Sequence, residues 1–153
     1  MTRIARKSGQ TGALAVELGL LMLPLVMLLF GITEFGRALY QYNTIAKGVR
    51  DGVRHLSQYA PGDPTRIDQA KCLAVFGTLD CDGTALVAGL TKRMVTVRDR
   101  STDAGAYQLQ ETGRGALNLV EVSVDGFVFD SLAPLFVPHI AFASIGATMV
   151  QVP

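Results

Sequence analysis

The chain has 153 residues, 14 basic and 13 acidic, for a net charge of +1. That balance gives no electrostatic case for nucleic acid. Hydrophobic residues make up 49%, and their excess lies in the N-terminal quarter, which excludes a multispan protein and leaves one membrane helix with one small domain.

Residues 1–12 read as a short basic leader, with Arg3, Arg6 and Lys7 and no acid. Ala13 to Thr33 is an apolar run of 21 residues, the length that crosses a hydrocarbon core of ~30 Å. A secretory h-region is shorter, about 7–15 residues, and ends at a small-x-small site. No convincing site of that kind follows Phe30, so the anchor reading leads the cleaved signal peptide. Pro24 is mid-span, where lipid-embedded helices tolerate it.

Glu17 interrupts this run. A charge near the bilayer centre costs roughly 2.5–3.5 kcal/mol on insertion scales and less toward the edge. The carboxylate therefore needs a partner. A cut after Gly12 would supply one, because Ala13 would then carry an amine one helical turn from Glu17.

The basic leader flanks the span on one side, while Glu34 and Arg37 cancel on the other. The positive-inside rule then places the N-terminus in the cytoplasm and residues 34–153 outside. Trp is absent; Phe35, Tyr40 and Tyr42 serve as interfacial aromatics instead.

Beyond the span, Phe35, Leu39, Tyr42, Ala46, Val49, Val53, Leu56 and Ala60 follow a 4-3-4-3-4-3-4 spacing. That predicts an amphipathic helical extension over 34–60, ended by Pro61-Gly62-Asp63-Pro64. Span and extension together make one rod from about Ala13 to Tyr59, roughly 70 Å long at 1.5 Å per residue. Its apolar stripe is expected to pack for most of its length on the chain's own C-terminal domain.

Residues 61–153 read as a small α+β domain. Asp63 and Pro64 start a short helix that Gly77 stops. Strands are expected over Arg93–Arg100, Leu117–Phe129 and Ala141–Val152, with a polar, Gly-rich loop over 101–115. Pro134 and Pro138 bracket an apolar connection, LAPLFVP, which is unusual for a loop. The expected fold is a long N-terminal helix packed on a small antiparallel sheet.

Cys72 and Cys81 lie close together in the outer part. In an oxidising compartment they read as a disulfide, worth about 2–3 kcal/mol for so short a loop. A zinc site lacks its third and fourth ligands, and two unpaired buried thiols are the bland alternative. Asp80 and Asp82 suggest a solvated turn rather than a calcium loop. His55 and His139 are single and distant in sequence. No nucleophile motif, phosphate loop or metalloprotease motif is present, so neither an enzyme nor a cofactor is expected.

The stretch RKSGQTGALAVELGLLMLPLVMLLFGITEFGRALYQYNTIAKGVRDGVRHLS resembles the TadE-like pseudopilins of tight-adherence (Flp-type) pilus systems. Gly12 followed by ALAVE, the Leu-rich run with Pro24, and FGITEFGRALYQYN carry the likeness. It is strong over about 6–57, loose over 117–152 and absent between. The resemblance implies a pilin-like fold and a precursor in the bacterial inner membrane, cut by a prepilin peptidase between Gly12 and Ala13. It implies that Glu17, fifth in the mature chain, serves subunit registration or peptidase recognition by pairing with a neighbour's N-terminal amine. The implied partners are the peptidase, other pilins and pseudopilins, the assembly platform and the lipid bilayer. A mature chain starting with Ala rather than Phe or Met puts N-methylation in doubt. The function implied is that of a minor pseudopilin in pilus assembly. The competing reading is an unprocessed, single-span binding protein with an external domain.

Overall fold

A computed structural model describes residues 10–113, 115–134, 137 and 139–152. The chain runs α1 (Gln10–Leu56), α2 (Pro64–Phe76), β1 (Val95–Arg98), α3 (Ala104–Tyr107), β2 (Gln110–Thr112), β3 (Gly115–Val124), β4 (Val128–Phe129), β5 (Ile140–Ala141) and β6 (Ile145–Gln151). The fold is α+β, a long apolar helix on a small antiparallel sheet.

The 47 residues of α1 contain Pro24 as their only proline, and the Ala-, Leu- and Met-rich sequence around it favours a helix. The helix stops at Leu56, short of the expected Ala60. The carbonyls at its end and just past it find partners at the C-terminal strand: the Gln151 amide donates to those of Leu56 (3.5 Å) and Tyr59 (3.2 Å), and the Val152 N–H donates to that of Ser57 (3.1 Å). The closing strand thus takes over the role of another helical turn.

The start and stop signals of α2 work as expected. Asp63 accepts from the N–H groups of Thr65 and Arg66, and Gly77 closes the helix at φ 77° with its N–H on the Leu73 carbonyl. Two glycines of α1 then bring the helices together. A Cβ at Gly48 would lie 2.6 Å from the Ala74 carbonyl oxygen, and one at Gly52 would lie 2.9 Å from that of Ala70. These glycines lower helix propensity but allow backbone to meet backbone.

In the sheet, β3 is central. β1 pairs with it through Val95–Val124 to Arg98–Glu121, and β6 through Asn118–Gln151 to Val124–Ile145, all antiparallel. Val120, Val122 and Val124 face inward. They meet Ile45, Val49, Val53 and Leu56 of α1, Ala70, Ala74 and Val75 of α2, and Val95, Phe127 and Ile145.

Three further details differ from expectation. The strand expected over 117–129 breaks after Val124, where Asp125 accepts from the Ser123 hydroxyl and Gly126 takes φ 72°. Its remainder becomes β4, which pairs with β5 as a separate two-stranded ribbon, so the final strand starts at Ile145 rather than Ala141. The polar loop over 101–115 holds α3, capped by Asp103, and β2, which pairs with the start of β3. Finally, the apolar stripe is buried only from Ala46 to Leu56. Below it Phe35, Leu39 and Tyr42 are exposed, while Glu34, Ala38 and Ile45 are buried. The buried face thus shifts by one residue, because the lower helix packs on the β4–β5 ribbon rather than on the sheet.

Candidate functional site on the N-terminal helix

Every side chain from Gly12 to Phe30 is exposed. The set includes Leu14, Leu18, Leu20, Leu21, Leu25 and Leu28, each more than half exposed. An exposed apolar surface of this size marks a membrane or protein contact. Among the described residues, one helix is long and apolar enough to cross a membrane.

Ala13 and Glu17 both lie on this helix, four residues apart and so on one face. Gly12 precedes Ala13 with open space around it. Most of the expected leader, residues 1–9, lies outside the described residues. A new amine at Ala13 would sit at the positive end of the helix dipole, where an anion such as Glu17 is favoured. The geometry leaves Glu17 facing outward, accessible to a group from another chain.

At the upper edge of the span, Glu34 was legible only as half of a cancelling pair of charges. It is 3% exposed. Arg37 reaches it at 2.6 Å, and the Leu132 N–H donates to its second oxygen at 3.0 Å. Arg37 also lies 5.3 Å from the centre of the Phe129 ring. This group locks the β4–β5 ribbon to the helix where the apolar run ends. An i, i+3 Glu–Arg pair just past a span was the sequence signal for it; its partner Leu132 was invisible.

The sulfurs of Cys72 and Cys81 lie at bonding distance, with Cα atoms 4.7 Å apart. Lys92 approaches both Asp68 (2.5 Å) and the Cys81 sulfur (3.4 Å). Asp68, Cys72 and Cys81 place three ligand-type atoms together, but sulfurs bonded to each other are not thiolates. His55 contacts Gln69 at 3.2 Å and stacks near Tyr59, while His139 pairs with Asp130 at 3.2 Å. The two histidines are not brought to one site.

The long helix with its exposed apolar half and internal carboxylate is the part that comparison identifies. Residues 12–54 match the family model described as TadE-like protein. The chain carries a TadE-like segment. This segment starts at Gly12 and ends within two residues of the end of α1, so it coincides with the helix and not with the sheet. The TadE-like match supports an association with the Tad (Flp-type) pilus. No curated protein and no solved structure matches the chain.

Proposed function

We propose that the chain is a minor pseudopilin that takes part in assembling a Flp-type pilus. In this reading a prepilin peptidase cuts between Gly12 and Ala13 in the bacterial inner membrane, with residues 34–153 outside. Glu17 then pairs with the N-terminal amine of a neighbouring pilin or pseudopilin, setting subunit register, or marks the site for the peptidase. Two opposite charges that neutralise each other remove much of the cost of burying either. The protein acts through contacts and performs no chemistry of its own.

The observation that carries the proposal is the TadE-like helix, apolar and exposed from Gly12 to Leu29, with Ala13 and Glu17 on one face. The test is the N-terminal residue of the protein from native membranes, read by intact mass and terminal peptide. The expected result is a start at Ala13 that disappears when the prepilin peptidase is deleted. A start at Met1 or Thr2 in wild-type cells would overturn processing and favour an unprocessed, single-span binding protein.

A further inference from the structure

The β4–β5 ribbon runs down α1 toward the apolar half. At its upper end Phe142 packs edge-on against Tyr42, with ring centres 5.7 Å apart, and its N–H donates to the Phe127 carbonyl. Farther along, Phe129 pairs with Ile140 and lies under Arg37. Near the tip the Leu132 N–H reaches Glu34. The contacts on α1 therefore step from residue 42 to 37 to 34, a descent of about 12 Å at 1.5 Å per residue.

This march puts Leu132 level with Glu34, one residue beyond the end of the run from Ala13 to Thr33. Its side chain is nevertheless 78% exposed. Phe35, Leu39 and Val128 are exposed beside the same stretch. Exposed apolar side chains thus lie both on the span and on the ribbon beside its upper end. Asp130 and His139, paired with each other, stay exposed as its polar rim.

We infer that Leu132, just past β4 at the lower end of the ribbon, is a second membrane contact that seats the external domain on the bilayer interface. The occupant is lipid because Leu132 is held level with Glu34, where the apolar run of the span ends, and its side chain is left exposed at that height. An apolar side chain at that depth lies at the boundary of headgroups and acyl chains. A single helix leaves its tilt to the bilayer; a second contact beside it fixes the tilt and the direction in which the domain faces. The inference rests on residues 13–33 spanning the membrane.

The chain has no tryptophan, so a single introduced indole is an unambiguous probe. The full chain carrying Leu132→Trp, Leu25→Trp or Val150→Trp is reconstituted in phosphatidylcholine–phosphatidylglycerol vesicles. Quenching is read with lipids brominated high or deep on their acyl chains, and with aqueous acrylamide. Val150, half exposed on β6, reports the distal end of the domain. Leu132→Trp should lose most of its emission to the shallow bromines and resist acrylamide, while Val150→Trp shows the reverse. Leu132→Trp quenched by acrylamide as readily as Val150→Trp would overturn the inference. Protection from acrylamide without bromine quenching would also overturn it, in favour of a second protein on this face. Leu25→Trp separates the two readings: deep-bromine quenching there upholds the span whatever Leu132 does, and its absence removes the span itself. If Leu132→Trp fails to fold, Ala133→Trp, at the neighbouring partly exposed position, probes the same end of the ribbon and is expected to be quenched by the shallow bromines as well.

Discussion

Asp99 is 2% exposed and ties two distant turns together. Its carboxylate accepts from the N–H groups of Gly62 (2.9 Å), Ser101 (2.9 Å) and Thr102 (3.2 Å) and from the Ser101 hydroxyl. Burial pushes its pKa up, but the Ser101 hydroxyl and the three amides outweigh burial and hold it below the ordinary carboxylate value. A depressed folded-state pKa contributes stability that is present above the unfolded value, near 4, and lost as pH falls through the folded one. Asp99→Asn should therefore cost about 1–3 kcal/mol at neutral pH and flatten the loss of stability below about pH 4. Urea unfolding at neutral and acid pH checks this; an acid limb as steep as that of the wild type would assign the effect to other carboxylates. Asp63 and Gly77 were legible in the sequence because a cap and a left-handed stop act on neighbours within a turn. Asp99 and Glu34 were not, because Gly62 lies 37 residues from the first and Leu132 lies 98 residues from the second. A long-range partner leaves no local periodicity to read.

The contact between α1 and α2 turns on two glycines whose meaning changes with context. In the sequence Gly48 and Gly52 only weaken a helix. In the fold each faces a carbonyl of α2 at a distance that no Cβ tolerates. Gly48→Ala gains up to about 1 kcal/mol in helix propensity, but forces backbone apart at a cost of typically about 1–3 kcal/mol. Since its obstacle is backbone, the clash should win, lowering stability by about 1–2 kcal/mol. Gly36→Ala is the control: the same helix has open space there, so propensity acts alone and stability should hold or rise. Thermal unfolding of both variants, followed by circular dichroism in detergent, decides it. The same contrast explains what was readable among the strands. Alternation marked Val120, Val122 and Val124 correctly, because one face of β3 is buried. It could not mark the break at Asp125-Gly126 or the two-residue strands of the ribbon, which are too short to show a period.

Across the whole molecule, α1 joins two regions under different demands. Its lower half is exposed from Gly12 to Leu29 among the described residues, and its upper half is core. Glu17 lies on the exposed half and Gly48 on the packed half, 31 residues apart along one helix (48 minus 17). Effects at sites so far apart with no shared partners should be independent. Glu17→Ala should leave membrane insertion and the unfolding temperature of the domain unchanged, because no packing is removed, and yet abolish or strongly reduce piliation. Gly48→Ala should lower the unfolding temperature while leaving the N-terminus proposed at Ala13 unchanged. Piliation counted by electron microscopy, mature N-termini read by mass spectrometry and unfolding temperatures, measured on both variants, form a two-by-two test. If Glu17→Ala cells pilate normally, the carboxylate has no role in register or processing. If Glu17→Ala also lowers the unfolding temperature, Glu17 is part of the domain's own packing, and the division of α1 into an exposed and a packed half fails.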